Sequence, residues 1–283
     1  MEYGLGFGIA AIIALTGVGA GSLTTPLLIL LLGLPAKECV GTALIFATAV
    51  KILSVPGYMA RKQVSWRVFG YMTAAGAPGV VGGALLLNKA PTNMVTGFVG
   101  LTIMIMALVN LIRFNHAIRH DRAKWLTPIG ALIGLEMGFS SAGAGAIGAL
   151  AMMSLTKLST AEIVGTGLGF GLALSGLGGL IHAGLGDVNT AVLWKLLAGG
   201  AAGALAGSAL AGRVPARQLR FMLCLTLVYI GGQLSWKTFS AAGVLAVLGG
   251  GVVAAAVIYL RSSARSAAFS ESLPRASSRA AGE

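Results

Sequence analysis

Long apolar runs separated by short polar loops cover the chain from residue 4 to residue 260. At about 1.5 Å per residue, each run is long enough for the roughly 30 Å hydrocarbon core of a bilayer. The pattern therefore predicts an all-α integral membrane protein. The predicted apolar segments are 4–33, 35–59, 66–88, 93–114, 125–157, 160–183, 190–212, 218–236 and 239–260.

Two of these segments contain glycine-rich stretches that disfavour a continuous helix. Residues 17–26 read GVGAGSLTTP, and residues 140–145 read SSAGAG. Glycine costs about 1 kcal/mol relative to alanine inside a helix, and a membrane tolerates broken helix only inside protein or beside a wet cavity. Matched breaks in two halves of a chain point to the substrate site of a transporter.

The two halves are related by an internal repeat of 124 residues. Without a gap, 24 of the 86 positions from residue 17 to residue 102 are identical to the residue 124 positions later. A shared apolar composition does not place glutamate on glutamate in one frame, so we interpret the match as a true repeat. The aligned pairs include Gly19 and Gly143, Gly21 and Gly145, Glu38 and Glu162, Gly41-Thr42 and Gly165-Thr166, Phe46 and Phe170, and Pro91 and Pro215.

The basic loops change places between the repeats. The loop after the second segment is basic in the first repeat, and the loop after the seventh segment is basic in the second. Because cytoplasmic loops carry the excess of lysine and arginine, the repeats are predicted to lie in opposite orientations. The basic residues are Arg61, Lys62, Arg67, Arg213, Arg217 and Arg220, and their counterparts are Leu185, Gly186, Ala191, Lys89, Asn93 and Thr96.

Inversion requires an odd number of crossings in each repeat, whereas each repeat has four apolar segments. We therefore expect segments 4–33 and 125–157 to be re-entrant hairpins of two half-helices, each followed by three transmembrane helices. Nine plain crossings are the alternative, and they leave one repeat at odds with the charge rule. The predicted organisation is repeat 1 at 1–114, a cytoplasmic linker at 115–124, repeat 2 at 125–236, an extra transmembrane helix at 237–260 and a disordered basic tail at 261–283, with the N-terminus outside.

Composition supports the membrane class and narrows the partners. The chain is 56% hydrophobic and 10% charged, and its net charge of +12 lies in short loops and in the tail. Such charges set membrane topology and do not indicate nucleic acid. No cofactor, metal, catalytic site or cleavable signal peptide is expected, and Cys39 and Cys224 fit buried hydrophobes. The expected partners are a small anion and the lipid bilayer, and the oligomeric state is open between a monomer and a homodimer.

The two hairpin tips are predicted to meet near the midplane and to hold a small oxyanion. Free backbone N–H groups and the helix dipole at the start of each second arm favour an anion, and nearby hydroxyls and one lysine add donors. The alternatives are close helix packing by the small residues, and threonines that bond only their own helix. The candidate residues are Gly19, Gly21, Ser22, Thr24, Thr25, Thr42, Lys51, Ser141, Gly143, Gly145 and Thr166.

Several other polar residues have competing interpretations. Lys51 either serves the site or extends to water from a cytoplasmic helix end. Glu136 either carries a coupling proton, pairs with Lys51 or is structural. Glu38 and Glu162 are expected to cap helices, and His182 and Asp187 are expected in a solvated loop. Glycines 79, 83, 203 and 207 are expected to allow close helix packing.

These motifs resemble the TauE/SafE family of sulfite and organosulfur-anion exporters. The resemblance rests on the stretch from Gly17 to Pro26, on Gly33-Leu34-Pro35 and on the two Gly-Thr pairs, and it covers about residues 5 to 235. Serine at position 141, where the family usually has glycine, and Ala43 and Gly167 after the Gly-Thr pairs depart from the pattern. The resemblance implies a permease of the bacterial inner membrane for sulfite, thiosulfate, sulfoacetate or similar small acids.

The expected function is therefore secondary export of a small sulfur-containing anion. A proton-coupled importer that uses Glu136 is the alternative within transport. An intramembrane enzyme or a membrane scaffold is the alternative from another class. An enzyme requires a nucleophile and a base within reach of each other, and a scaffold does not require two matched helix breaks.

Overall fold

The computed structural model describes residues 1–16, 20–111, 122–142, 145–210, 216–236 and 238. In these residues the chain is helical, with a short 3-10 turn at Ala123–Trp125. The helices are α1 (Glu2–Thr16), α2 (Ala20–Leu32), α3 (Ala36–Ala60), α4 (Trp66–Lys89), α5 (Thr92–Leu111), α6 (Leu126–Ser140), α7 (Ala146–Leu155), α8 (Thr160–Gly184), α9 (Thr190–Leu210) and α10 (Ala216–Trp236).

The predicted break in the fifth apolar segment is confirmed, because that segment is divided into α6 and α7. In the first segment α1 ends at Thr16 and α2 starts at Ala20, and the residues between them lie outside the described residues. Ser141 follows the last residue of α6 as its C-cap, adopts the left-handed conformation with φ of 66° and donates its N–H to Met137 O. The four half-helices contain 10 to 15 residues each, so each is about 15–22 Å long.

Four helices, α3, α4, α8 and most of α9, are long and apolar enough to cross a membrane. The surface fits that environment, because large apolar side chains such as Leu53, Leu180 and Leu205 are more than 70% exposed. The tryptophans also fit it, since they concentrate where a bilayer meets water. All four are exposed and lie close to helix ends: Trp66, Trp125, Trp194 and Trp236.

Helices α3 and α8 form an antiparallel pair in which the two repeats meet. A methyl group on Gly41, near the start of α3, would lie 2.9 Å from the Cβ of His182, near the end of α8. At the other end of the pair, a methyl group on Gly165 would lie 3.2 Å from the Cβ of Tyr58. These contacts are equivalent under the 124-residue shift, because Gly41 corresponds to Gly165 and Tyr58 corresponds to His182.

Helices α1 and α6, which begin the first and fifth apolar segments, each pack against a long helix of the other repeat. Helix α1 lies parallel to α9, and α6 lies parallel to α4. Small residues make this possible, since a methyl group on Gly79 would overlap Ala131 O, and one on Gly203 would overlap Phe7 O. Gly83 and Gly207 abut Leu135 O and Ala11 O in the same way, which confirms the predicted packing role of the four glycines.

The repeat also relates two of the largest side chains in the core. Phe46 and Phe170 are fully buried repeat counterparts. The ring of Phe46 lies against Gly200, and the ring of Phe170 lies against Gly76, which are counterparts as well. These two rings therefore pack in equivalent ways in the two repeats.

Candidate functional site

The two helix breaks meet, with the start of α2 packed against the end of α6. Thr25 Oγ1 lies 2.6 Å from Ser141 Oγ, and the Ser141 hydroxyl lies 3.3 Å from the carbonyl oxygen of Gly21. Gly21 is required for this approach, because a Cβ there would overlap Ser141 O. The structure thus brings together three of the residues that the sequence nominates, from opposite halves of the chain.

Hydroxyl groups are concentrated around this contact. Five of them are at most 6% exposed, on Ser22, Thr24, Thr25, Ser140 and Ser141. The start of α2 precedes Thr25 and the start of α7 follows Ser141 in sequence, and the first N–H groups of a helix have no acceptor within that helix. Helix α2 starts at Ala20, slightly before the predicted arm, and α7 starts at Ala146, immediately after the exposed Gly145. Gly19 and Gly143 lie outside the described residues.

The backbone of Ser141 is in a conformation that glycine adopts more easily. A left-handed conformation costs a non-glycine residue about 1–2 kcal/mol, and φ at this position is 66°. The side chain compensates by contacting Thr25 and Gly21 on the other hairpin. Serine therefore adopts this backbone conformation less easily than glycine would, but its hydroxyl provides a polar link between the tips.

Thr42 and Thr166 are not brought together. Thr42 Oγ1 accepts the N–H of Asn189 at 3.0 Å, and Thr166 Oγ1 accepts the N–H of Ser65 at 2.8 Å. Because α3 and α8 are antiparallel, these hydroxyls lie at opposite ends of the pair, about 24 Å apart at 1.5 Å per residue along α8. One small anion cannot contact both of them, and neither bonds its own helix in these contacts.

Lys51 lies in the middle of the α3–α8 pair. Its ammonium donates to Gly171 O at 3.2 Å and to Ser175 Oγ at 3.4 Å, and the residue is 9% exposed. The lysine therefore points into α8 and does not extend to water at a helix end. Ser175 is its repeat counterpart, so the pair carries a single positive charge near its centre.

Glu136 is buried within α6, about one turn before the break. One of its carboxylate oxygens accepts the hydroxyl of Ser140, and the residue is 8% exposed. The contacts of Lys51 are with Gly171 and Ser175 of α8, so the alternative in which Lys51 pairs with Glu136 finds no support in these contacts. Glu136 instead lies on the side of the site formed by the second hairpin.

The two aligned glutamates stabilise helix starts and loops. Glu162 forms a capping box with Ser159, in which each side chain accepts the other residue's backbone N–H. Glu38 takes a different role, accepting the side-chain amide of Asn189 at 3.3 Å. The capping prediction is confirmed for Glu162, while Glu38 ties the start of α3 to the loop before α9.

The expectation that His182 is solvated is wrong. The side chain is fully buried, with Nε2 3.0 Å from Gly138 O and Nδ1 3.5 Å from the Asp187 carboxylate. The sequence suggests a loop because Gly184, Gly186 and Asp187 follow closely. What buries the imidazole is the close approach of α3 and α6, which a local pattern does not show.

Comparison with known proteins identifies the family. The family model described as sulfite exporter TauE/SafE matches residues 3–234. The chain belongs to this family. It is also similar to a protein of Bacillus subtilis (strain 168) named "Probable membrane transporter protein YjnA", with 27% identity over 248 residues, 81% of this chain and 97% of the relative. No solved structure matches the chain.

Membership confirms the resemblance and establishes the general function. The TauE/SafE chain is a multi-pass membrane protein and a membrane transporter of that family's type. The transporter names of the family and of the relative agree with the expectation that the chain is not an enzyme. The linker at 115–124 is described only from residue 122. The helix at 237–260, apart from residue 238, and the tail at 261–283 lie outside the described residues.

Proposed function

We propose that this TauE/SafE protein exports a small sulfur-containing anion, such as sulfite, thiosulfate or a sulfonate like sulfoacetate, across the bacterial inner membrane. The observation that carries the proposal is the meeting of the two broken helices at Thr25 and Ser141. Paired helix breaks beside buried hydroxyls offer donors to an oxyanion without a mobile counter-charge. The family's description as a sulfite exporter supports the substrate class.

The substrate site is placed at the contact between the hairpin tips. Backbone N–H groups at the starts of α2 and α7 and the hydroxyls of Ser22, Thr24, Thr25 and Ser141 are the proposed donors. The positive charge of Lys51 acts from the adjoining α3–α8 pair. Because hydroxyls and amides are neutral, they hold an anion less tightly than a direct ion pair does, and this favours release.

An inverted arrangement of the two repeats suits this site. Its support is the antiparallel packing of the equivalent helices α3 and α8 together with the exchanged basic loops. Half-helices about 15–22 Å long fall short of the roughly 30 Å hydrocarbon core, which supports re-entrant hairpins. In this arrangement the N-terminus and the loop at 185–189 face outward, and the loop at 61–65 faces the cytoplasm.

Export of this kind can be driven by the membrane potential. A potential of 100 mV, negative inside, favours the exit of one negative charge by about 2.3 kcal/mol, and a dianion gains about twice as much. The alternative direction is proton-coupled uptake, which the burial of Glu136 one turn before the break favours. The exporter is driven by the potential without a pH gradient, whereas the importer requires a pH gradient.

The deciding experiment is flux through proteoliposomes that contain the purified full chain. Labelled sulfite, thiosulfate and short sulfonates are tested with a potential alone and with a pH gradient alone. Flux driven by the potential supports the exporter, and accumulation against a gradient that requires inward protons supports the importer. No flux of any sulfur anion under either condition would overturn the proposed substrate class.

A further inference from the structure

His182 is a buried titratable group that the proposed anion site does not use. It lies in the last turn of α8, with α3 on one side and α6 on the other. A fully buried imidazole in a membrane protein is costly unless both of its nitrogens have suitable neighbours. The two neighbours of this ring are a carbonyl and a carboxylate.

These neighbours determine which nitrogen carries the proton in the neutral ring. Gly138 O only accepts, so Nε2, 3.0 Å away, must be the N–H donor. A neutral imidazole has one N–H, and Nδ1 therefore has none. Nδ1 nevertheless faces Asp187 Oδ2 at 3.5 Å, and both atoms are buried without a hydrogen-bond partner among the described residues.

We propose that His182 and Asp187 form a binding site for one proton, which links the second hairpin to pH on one face of the membrane. Uptake of a proton at Nδ1 converts two facing lone pairs into an N–H that donates to the carboxylate. Nε2 continues to donate to Gly138. The protonated imidazolium then bridges α6 to the loop after α8, and loss of the proton breaks the link to Asp187.

The opposite end of the α3–α8 pair has the same backbone but different chemistry. The Asp187 N–H bonds His182 O at 2.9 Å, and the Gln63 N–H bonds Tyr58 O at the same distance. Tyr58 and Gln63 are the repeat counterparts of His182 and Asp187. Tyr58 and Gln63 have neither an imidazole nor a carboxylate, so in the described residues this turn occurs at both ends of the pair and the facing imidazole and carboxylate at one end.

Other titratable groups nearby have different contacts. From α3, Glu38 accepts from Asn189, and Lys37 donates to Asn88 O on α4. From α6, Glu136 accepts from Ser140, and α4 has Lys89 at its end. Asp187 is the charged group that the structure places against the imidazole.

The position of Gly138 gives the proton site a route to the anion site. Gly138 lies between Glu136 and Ser141 on the last turn of α6, and Ser141 contacts the other tip. Protonation holds the imidazole to Asp187 as well as to Gly138, and so favours one placement of the α6 tip relative to Thr25. This step rests on the proposed transport function, whereas proton binding itself does not.

Proton binding is tested by nitrogen NMR on the purified full chain. The chain has three histidines, so a His116→Gln, His120→Gln variant leaves His182 as the single reporter. At alkaline pH we expect Nε2 protonated and Nδ1 unprotonated, and acidification should protonate Nδ1 as well. Asp187→Asn removes the carboxylate acceptor and should change the chemical shift of the Nδ1 proton. A protonated Nδ1 in alkali, or an Nδ1 that gains no proton on acidification, would overturn the proposal.

Coupling is tested by flux of a short alkyl sulfonate, which stays ionised throughout the pH range tested. With the pH of one compartment fixed and the other varied, we expect a several-fold rate change for the face that carries the 185–189 loop. His182→Gln keeps an amide donor for Gly138 O and should abolish that dependence without abolishing flux. The matched control is Tyr58→Phe at the opposite end, which should keep it. A wild-type pH profile in His182→Gln would rule out the coupling. Absence of flux in every variant would count against the transport proposal instead. In that case the NMR result alone would decide proton binding.

Discussion

The hydroxyl oxygens of Thr25 and Ser141 lie 2.6 Å apart and join two helices that start in different halves of the chain. Thr25 lies near the start of α2 and Ser141 follows the end of α6, so the contact forms between the start of one helix and the end of another. Ser141 reaches it from a left-handed backbone conformation that a serine rarely adopts. We therefore choose this contact as the first place to test the proposed anion binding.

Removal of the Thr25 hydroxyl should weaken anion binding more than folding. A hydrogen bond to a charged group is worth about 1.5–3 kcal/mol, so Thr25→Val should weaken sulfite binding by about tenfold to a hundredfold. Calorimetry on the purified protein measures the affinity, and a thermal melt measures folding. Thr102→Val is the matched control, since Thr102 bonds Val99 O within α5. Equal affinities for the two variants would place the anion elsewhere.

The helix breaks and the close-packing glycines can be predicted from the sequence, because glycine spacing acts locally and the repeat supplies two independent copies. The contacts of Thr42 and His182 cannot be predicted in this way. They depend on the antiparallel pairing of α3 and α8 and on the loop at 185–189, which bring together residues more than 130 positions apart. The 124-residue repeat marks Gly41 and Gly165 as equivalent positions, but it does not show which helices pack against each other.

Topology can be tested at two loops that the structure places at opposite ends of the α3–α8 pair. In a background with Cys39 and Cys224 replaced by alanine, Lys62→Cys should react with an impermeant thiol reagent only from the cytoplasmic face. Gly186→Cys should react only from outside. The positive-inside rule supplies the sign. Reaction of both from one face would contradict the proposed crossing of α3 and α8.

A test of the inverted orientation of the repeats requires cysteines at further positions. Cysteines at residues 120 and 216 should both be labelled from the cytoplasm, together with residue 62, and a cysteine near the N-terminus should be labelled from outside. The measurement is the same labelling in intact and permeabilised cells. Residues 62 and 216 on opposite faces would be incompatible with inversion.

The glycine contacts between hairpins and long helices predict a position-dependent loss of stability. A methyl group on Gly79 or Gly203 would overlap a backbone carbonyl, so an alanine at either position should destabilise the protein by about 1–3 kcal/mol through overpacking. Gly82→Ala on the same helix α4 is the control, because no atom of the described neighbouring residues lies within 4 Å of the place its methyl group would take. That control should be neutral or slightly stabilising, since alanine favours helix. Equal melting temperatures for all three variants would contradict the packing.

Substitution of Glu136 tests whether its carboxyl carries a coupled proton. If the carboxyl carries the coupled proton, Glu136→Gln should abolish flux driven by a pH gradient and spare exchange of substrate between equal pools. The amide still accepts the Ser140 hydroxyl, so folding should be retained. The readouts are driven flux and exchange in the same proteoliposomes. Full activity in both assays would remove Glu136 from coupling.

Substitution of Lys51 tests whether anion affinity depends on a positive charge outside the tips. Its ammonium donates to Gly171 O and to Ser175 Oγ, and the Ser175 hydroxyl also donates to Leu172 O within α8. Lys51→Met should therefore leave few unsatisfied groups and preserve folding, while removing the positive charge from the centre of the α3–α8 pair. Because charge interactions are strong where water is excluded, we expect anion affinity to fall at least about tenfold, a difference of about 1.4 kcal/mol. Lys51→Arg keeps the charge and should retain most of the affinity. Equal anion affinity in Lys51→Met and wild type, with equal melting temperatures, would assign the lysine to helix packing alone.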